Sequence, residues 1–375
     1  MTDKSETKQV SRRKVLKGAA LAAGVAATGT VAMPNVSRAE TVKMKFQSTW
    51  PTKDIFHEYA ADFVKKLNGM AGGRLELELL PAGAVVPAFQ LLDAVNTGIL
   101  DGGHGVSAYW FGKNKAFSLF GTGPALGLDA NQILGWMKYG GGQELYDELV
   151  GSVLKLNIKG FQYGPMPTQP LGWFKKEIKG PDDLKNIKYR TVGLSADMFK
   201  GLGTNVTILP GGEIVPAIDK GLIDGAEFNN PSSDKLLGFT DVAKIYMVQS
   251  YHQPNETFEI LFNKGKYDGL PAELQALVAA AVEASSADMS WKAMDRYSKD
   301  LEAIKASGVS VIKTPESVLK AQLASWDKVV ETQSADAFFK KVLDSQKAWA
   351  KRVLAFTQEC VVDPKLAYEH NFAKG

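Results

Sequence analysis

The chain has 375 residues, of which 45% are hydrophobic, and its single cysteine, Cys360, excludes an intramolecular disulfide. This length exceeds what one hydrophobic core usually supports, so two lobes are expected. Residues 1–39 hold seven of the 44 basic and two of the 41 acidic residues, which turns the overall net charge of +3 into −2 for residues 40–375. This balance excludes the basic surface that nucleic-acid binding needs, and no nucleic-acid partner is expected.

The first 39 residues have the pattern of an export signal. Residues 11–17 (SRRKVLK) precede an Ala-rich apolar run at residues 18–33, and Ser37-Arg38-Ala39 provides the small-x-small pattern of a cleavage site. The apolar run is too short for a membrane anchor, which needs about 20 strongly apolar residues. We predict a twin-arginine signal peptide at residues 1–39 and a periplasmic mature protein.

The segment after the leader has the periodicity of a parallel α/β unit. Residues 41–48 (TVKMKFQS) alternate apolar and polar side chains, which predicts a strand. Residues 55–67 have apolar side chains at helical spacing, and residues 74–80 (RLELELL) alternate again. A strand, a helix and a strand in this order indicate an α/β fold class.

Two later segments resemble each other. LPAG, VVPA and TGILDGG follow one another within residues 80–103, and LPGG, IVPA and KGLIDGA do so within residues 209–226. Gly98 and Gly221 are placed to end helices, where a positive φ favours glycine. Two apolar residues would then begin a strand that ends at Asp-Gly. Chance similarity among common turn signals is the alternative. The match favours two lobes that are built from the same order of elements and whose loops face a shared cleft.

The pattern of predicted elements gives a domain organisation. We predict a first lobe at residues 40–156, completed by segments returning from the C-terminal part, and a second lobe at residues 157–262. Residues 259–262 (EILF) suggest a strand that crosses back between lobes. Residues 263–375 are mostly helical, and residues 334–359 form one long amphipathic helix. That helix either covers a lobe or packs against a second subunit.

The motifs of catalysis and of cofactor binding are incomplete in this sequence. Residues 121–127 (GTGPALG) approach a dinucleotide-binding loop, but the last glycine is one residue late and Pro124 removes a needed backbone N–H. Residues 193–197 (GLSAD) lack the second glycine of a nucleophile elbow. The four histidines form no i, i+4 metal pair. A binding protein is therefore favoured over the alternative, an exported enzyme that uses Glu227 as a base.

Several polar residues are suited to holding a small anion. Arg190 ends a predicted short strand, and its guanidinium would pair with a ligand carboxylate in two-pronged geometry, unless it forms an ordinary surface ion pair with Asp182 or Asp183. Gln169 lies between two prolines, either as a rigidly held binding amide or as a solvated loop residue.

Other candidates surround the predicted cleft. Residues 223–234 (IDGAEFNNPSSD) place two carboxylates near two adjacent amides, as in a polar turn or a binding segment. Within them, Asn229 and its neighbour Asn230 are either turn residues or groups that tune the pocket. Tyr109, in the aromatic run that follows the first Asp-Gly, is either a cleft wall or a core residue. Trp50 and Gln253 complete our candidate set of ligand contacts.

The order of several motifs carries a family resemblance. A strand ending in Trp-Pro is followed by LPAG, GILDGGHG, GWFKKEIKGPDDLKNIKYR, LPGGEIVPAIDKGLIDGAEF and DKLLGF. This chain resembles, over essentially its whole mature length, the extracytoplasmic solute receptors of TRAP transporters, the DctP family. It is most similar to the branch that binds 2-oxo acids and related monocarboxylates with a metal ion. The resemblance implies a two-lobed periplasmic binding protein fold with a long connecting helix, and delivery of the ligand to a sodium-driven membrane permease. Some relatives form homodimers by exchanging the C-terminal helix.

The resemblance also implies roles for individual residues. Arg190 would bind the ligand carboxylate, and Gln169 would contact both metal and ligand. The Glu227 side chain and the Phe228 carbonyl would complete the shell of a Na⁺ or Ca²⁺ ion. Such hard cations suit oxygen donors, and one would relieve the repulsion between Glu227 and the ligand. Relatives usually have Trp where Phe228 stands, so the acid stays open: a 2-oxo or 2-hydroxy monocarboxylate, or else a dicarboxylate, a sulfonate or an aromatic acid.

Overall fold

The computed structural model describes residues 40–373, so the predicted signal peptide lies outside the described part of the chain. The strands, numbered in chain order, are β1 Val42–Ser48, β2 Leu75–Leu80, β3 Gly102–Gly105, β4 Ile158–Met166, β5 Gly172–Phe174, β6 Lys188–Arg190, β7 Asn205–Thr207, β8 Gly225–Ala226, β9 Ile245–Val248, β10 Glu256–Asn263 and β11 Ser310–Lys313. The α-helices are α1 Ile55–Ala71, α2 Leu91–Thr97, α3 Phe117–Gly121, α4 Ala130–Tyr139, α5 Gly142–Glu148, α6 Ser195–Gly201, α7 Ile214–Asp219, α8 Pro231–Leu237, α9 Phe239–Val242, α10 Lys264–Asp268, α11 Ala272–Ala306, α12 Glu316–Gln333, α13 Ala337–Cys360 and α14 Pro364–Phe372.

The strands form two mixed sheets. The first has the order β2-β1-β3-β10-β4, with β1 parallel to β2 and β3, and with β10 antiparallel to its two neighbours. The second has the order β11-β9-β5-β8-β6-β7. Each sheet, together with the helices that pack on it, is called a lobe below. The predicted α/β fold with two lobes is confirmed.

Helix α1 shows how local sequence sets an element of the first lobe. The Asp54 side chain precedes it and accepts a hydrogen bond from the Phe56 backbone N–H at 3.0 Å, which satisfies a free donor at the helix start. Gly72 ends the helix with a left-handed φ of 58°. Apolar side chains at helical spacing form its buried face, among them Ile55, Tyr59, Phe63 and Leu67. The helix predicted at residues 55–67 is confirmed.

The two similar sequence segments make the same backbone contacts in the two lobes. The Asp101 N–H donates to the Lys45 carbonyl at 3.0 Å, while the Asp101 carboxylate accepts from the Lys45 N–H at 2.8 Å. In the second lobe, the Asp224 N–H donates to the Lys188 carbonyl at 2.7 Å, and its carboxylate accepts from the Lys188 N–H at 2.9 Å. Each aspartate therefore ties the start of one strand to its parallel neighbour, so the repeat is structural.

The two glycines before these aspartates have the predicted conformation. Gly98 ends α2 with a φ of 80°, and Gly221 follows α7 with a φ of 70°. The prediction that Asp-Gly ends a strand is wrong, because Gly102 begins β3 and Gly225 begins β8. The apolar residues before each Asp-Gly lie in the turn that leads into the strand.

The predicted boundary between the lobes at residue 157 is also wrong. Strand β4 pairs antiparallel with β10 in the first sheet, so the chain enters the second lobe only after Met166. It returns before Glu256, which is consistent with the predicted strand that crosses back. The error arises because the periodicity of a strand identifies the element but not its partner. Two segments, residues 167–171 and 249–255, thus cross between the sheets, and we call them the crossing segments.

Helix α11 is a third connection between the lobes. It packs against α1 and β4 of the first lobe and against α8 of the second. Lys66 of α1 pairs with Asp288 of α11 at 2.5 Å, and the Ser232 hydroxyl of α8 donates to Asp300 of α11 at 2.6 Å. The expected long connecting helix is confirmed.

The lobes also touch each other directly. The Ser233 hydroxyl of α8 donates to the Asp54 carboxylate at the start of α1, at 2.5 Å. Lys115 of the first lobe pairs with Asp197 of the second at 3.2 Å. The structure is therefore in a closed arrangement, with the cleft between the lobes shut.

The C-terminal region returns to the first lobe. The helix predicted at residues 334–359 is α13, which packs on α4 and α5, and the Trp349 indole N–H donates to the Gln132 carbonyl at 3.0 Å. Strand β11, between α11 and α12, was not predicted. The last helix, α14, has no buried residue. Across residues 40–373, every helix is too short or too polar to span a membrane.

Buried carboxyl groups near the lobe contact make stability depend on pH. Burial raises the pKa of Asp234 to about 8 and that of Asp54 to about 6, and Asp234 accepts a hydrogen bond from the Trp173 indole at 2.7 Å. A carboxyl whose pKa is raised in the folded state binds its proton more tightly there. The contribution of these two groups to the free energy of unfolding therefore falls as the pH rises from about 4 to about 8.

We expect Asp234→Asn to reduce this dependence, because the amide oxygen still accepts the indole hydrogen bond but the side chain no longer titrates. Calorimetry from pH 5 to pH 8 should give a fall in the thermal midpoint that is several degrees smaller than in the wild type. Asp219→Asn, at an exposed position at the end of α7, is the control and should behave as the wild type. If the thermal midpoint falls equally with pH in the wild type and in Asp234→Asn, the raised pKa of Asp234 is contradicted.

Candidate functional site

A small cavity lies where loops of the two lobes meet. Its walls come from segments that follow the carboxyl ends of β1, β3, β6 and β8, together with the two crossing segments and the start of β10. This is the edge at which α/β sheets usually bind ligands. The residues that line the cavity are Trp50, Val106, Tyr109, Gln169, Arg190, Val192, Glu227, Asn229, Gln253 and Glu256.

Arg190 is the only basic side chain in that lining, and it is 1% exposed. Its Nε donates to the Leu209 carbonyl at 2.8 Å, and its Nη1 donates to the Glu227 carboxylate at 2.7 Å. Its Nη2 has no hydrogen-bond partner. The alternative of a surface ion pair with Asp182 or Asp183 is thus wrong. The guanidinium is fixed on two sides and keeps one buried donor free.

The pairing of strands brings Glu227 to this arginine. Strands β6 and β8 are parallel with Arg190 opposite Ala226, so the next residue, Glu227, emerges beside the guanidinium. Burial raises the pKa of the Glu227 carboxyl, and the positive charge of Arg190 opposes that rise. The result is a buried carboxylate that is neutralised by one guanidinium.

Gln169 lies on the first crossing segment and is 1% exposed. Its backbone N–H donates to the Gln253 carbonyl at 3.1 Å, which joins the two crossing segments. Its side-chain Nε2 donates to Glu256 at 2.8 Å and to Asn229 at 3.4 Å. Since both amide hydrogens point at acceptors, the side-chain oxygen is left without a partner.

Glu256, at the start of β10, is a lining residue that our sequence reasoning missed. Burial, and then the nearby charge of Glu227, raise the pKa of its carboxyl to about 8. A signal was present, because the strand ETFEILFN places two glutamates in a run whose residues are all buried. The second one, Glu259, accepts hydrogen bonds from Trp110 and Tyr146 in the first-lobe core. Glu256 has no comparable structural set of donors.

The adjacent residues 228–230 divide into three roles. Asn230 accepts hydrogen bonds from the backbone N–H groups of Ser232 and Ser233, at 3.0 and 2.9 Å, and so begins α8. Asn229 instead lines the cavity, and its Nδ2 is unpartnered. Phe228 is not in the lining. Its ring stacks on Phe239 at 5.7 Å.

The remaining candidates form the cavity walls. Trp50 is 1% exposed and Tyr109 is half-buried; both belong to the first lobe. Gln253, on the second crossing segment, is fully buried, and both polar atoms of its side chain lack partners. The structure therefore brings together seven of our eight candidates, all except Phe228. Val106 and Val192 are apolar additions that sequence patterns did not single out.

The polar atoms of the cavity fit a hard cation and an anion. Within residues 40–373, no group of three or more His, Cys, Asp or Glu side chains could hold a metal. A cation here would instead combine carboxylate oxygens of Glu227 and Glu256 with the free amide oxygen of Gln169. Such oxygen donors suit Ca²⁺ or Na⁺. Arg190 Nη2 and the amides of Asn229 and Gln253 then remain to contact an anion.

Comparison with known proteins shows the family to which the chain belongs. The model of DctP, bacterial extracellular solute-binding protein family 7, matches residues 46–340. A monocarboxylate 2-oxoacid-binding periplasmic protein of Nostoc sp. is 33% identical over 97% of this chain and 99% of its own length.

Solved structures of TRAP solute-binding proteins are also similar. One from Bordetella bronchiseptica, a dimer with copurified calcium and picolinate, has a TM-score of 0.83 and 29% identity over 89% of this chain and 98% of its own. One from Pseudoalteromonas atlantica, with sodium and pyruvate, has a TM-score of 0.81 and 29% identity over 88% of this chain and 99% of its own. The chain belongs to the DctP family of bacterial extracellular solute-binding proteins and is a TRAP-type solute receptor.

Proposed function

We propose that this receptor captures a small 2-oxo or 2-hydroxy monocarboxylate together with a Ca²⁺ or Na⁺ ion, and delivers it to a TRAP membrane permease. The observation that carries the proposal is the pair of free polar atoms in one closed cavity. Arg190 Nη2 is a buried cationic donor without a partner, and Gln169 Oε1 is a buried acceptor without one. Buried polar groups are normally paired, so these two are suited to a carboxylate and a cation respectively.

The charge of the cavity lining favours a monocarboxylate. A dicarboxylate would need a further cationic group besides the bound ion, and Arg190 is the only basic residue in the lining. The bound cation would supply positive charge between Glu227 and the ligand. An oxygen on the carbon next to the ligand carboxylate would let the acid hold that cation from two sides.

Binding and closure would be coupled through the crossing segments. Gln169 and Gln253 lie on the two crossing segments, and a backbone hydrogen bond joins them. Trp50 and Tyr109 come from the first lobe, whereas Arg190 and the residues after β8 come from the second. An acid bound between these groups would stabilise the closed form, as in hinge-type binding proteins. We further propose that the chain reaches the periplasm by the twin-arginine route and acts there as a binding protein rather than an enzyme.

The carboxylate role of Arg190 is tested by Arg190→Met. We expect the affinity for pyruvate in the presence of Ca²⁺ to fall by at least about 100-fold, since a desolvated ionic contact is lost and Glu227 is left unpaired. Isothermal titration calorimetry measures this change. Arg190→Lys keeps the positive charge but not the two-pronged guanidinium, so it should lose less pyruvate affinity.

The matched control is Arg352→Met on the exposed surface of α13, which should bind as the wild type. The thermal midpoint of each variant shows whether it is folded. Unchanged pyruvate affinity in folded Arg190→Met would contradict the proposed clamp.

The cation requirement is tested by removing metal ions from the wild type. After chelation in sodium-free buffer, we expect the pyruvate affinity to fall by at least about tenfold, because two carboxylates and the ligand then share one guanidinium. Adding back Ca²⁺ should restore it fully and adding back Na⁺ should restore it at least in part, as measured by calorimetry. Affinity that is indifferent to both treatments would show that the cavity binds its acid without a cation.

We also propose a homodimer built on the C-terminal helices. Large apolar side chains there are exposed, and exposed apolar surface of this extent usually marks an interface. They are Phe356, Val361, Val362, Leu366, Tyr368 and Phe372.

Leu366→Asp combined with Phe372→Asp should convert the dimer to a monomer with unchanged pyruvate affinity, because α14 has no buried residue and lies outside the cavity lining. Light scattering coupled to gel filtration measures the mass. A wild type that is monomeric at all concentrations, or a double variant that remains dimeric, would contradict the proposed interface.

A further inference from the structure

The cavity has a second buried carboxylate besides Glu227, and this carboxylate forms no ion pair with Arg190. Glu256 is 2% exposed, lines the same space as Glu227, and is tied to Gln169 by a 2.8 Å hydrogen bond. Burying a carboxylate costs free energy unless a positive charge compensates it. The only guanidinium in the lining, that of Arg190, is already bonded to Glu227. Glu256 therefore lacks a positive partner among the residues that line the cavity.

We propose that Glu256 is the residue that makes this site select Ca²⁺ over Na⁺. The inference rests on the proposed function, in which an organic acid and a cation share the cavity. When Glu227, Glu256 and the ligand are all ionised around a bound cation, their three negative charges and the positive charge of Arg190 sum to −2 before the ion is counted. A divalent ion balances that charge, whereas a monovalent ion leaves one uncompensated charge in a dry site. A bound Ca²⁺ is then the largest local charge and favours both carboxylates in ionised form.

Glu256 also positions the amide of Gln169. Its carboxylate accepts from Gln169 Nε2, so the Gln169 side-chain oxygen is turned away from Glu256 and left free. Partners of this kind, behind a metal ligand, fix its orientation. The charge and the hydrogen bond of Glu256 can be separated by substitution. Glutamine keeps an acceptor for Gln169 and removes the charge, and aspartate keeps the charge on a shorter side chain.

The similar solved structures contain different cations. The Bordetella bronchiseptica protein contains calcium, and the Pseudoalteromonas atlantica protein contains sodium. The same fold therefore accommodates either ion. In this chain, a second carboxylate in the lining is the feature that favours the higher charge.

The test compares pyruvate binding to the full-length mature protein in Ca²⁺ and in Na⁺ by calorimetry, with the metal content of each protein measured by mass spectrometry. We expect the wild type to bind pyruvate at least about tenfold more tightly with Ca²⁺, and to retain about one calcium per chain. Glu256→Gln should lower the ratio of the two affinities by at least about tenfold and lose its calcium. Glu256→Asp should keep the preference for calcium.

Glu259→Gln is the matched control, because it makes the same chemical change at a buried position of the same strand outside the lining. It should keep the wild-type ratio. A folded Glu256→Gln that still binds pyruvate with the wild-type ratio overturns this inference alone, and so does a wild type that prefers Na⁺. A wild type that binds pyruvate with neither ion overturns the proposed function, and this inference with it. If Glu256→Gln does not fold, loss of calcium preference in folded Glu256→Asp overturns the inference.

Discussion

The buried pair between Arg190 and Glu227 is the interaction on which the site depends. The parallel register of β6 and β8 places the two residues side by side, and the Leu209 carbonyl holds the guanidinium from a second side. A buried charge pair is stable only if its remaining hydrogen-bonding groups are satisfied. Arg190 Nη2 remains free at the cavity, and on our account the ligand carboxylate satisfies it. In the proposed function, recognition would use a hydrogen-bonding group that the fold leaves unpaired.

The positions of the lining residues explain why lobe closure and ligand binding are coupled. The arginine belongs to the second lobe, whereas Trp50 belongs to the first and Gln169 to a crossing segment, so the complete site exists only when the cleft is shut. Contacts outside the cavity, such as that between Asp54 and Ser233, also hold the closed form. Burial raises the pKa of Asp54 to about 6, and the hydrogen bond from Ser233 opposes that rise by favouring the ionised carboxylate. An organic acid and a cation would add the further stabilisation that closure needs.

Local sequence patterns predicted much of this arrangement. The repeated Gly and Asp-Gly signals predicted two lobes of one plan, and hydrogen bonds of Asp101 and Asp224 confirm that equivalence. The predictions that failed concerned contacts between residues far apart in the sequence. Strand β4 was assigned to the wrong lobe because its partner, β10, lies about a hundred residues later in the chain. Glu256 was missed for the same reason, since its role follows from Gln169, which is 87 residues away.

A crystal structure of the protein grown with pyruvate and Ca²⁺, with anomalous diffraction used to locate calcium, tests the central claim most directly. We expect the pyruvate carboxylate on Arg190 Nη2, and the ion on the side-chain oxygens of Gln169, Glu227 and Glu256. The lobes should be closed as described above. Pyruvate bound elsewhere, or bound in this cavity without contact to Arg190 and without an ion beside Glu227, would contradict the account.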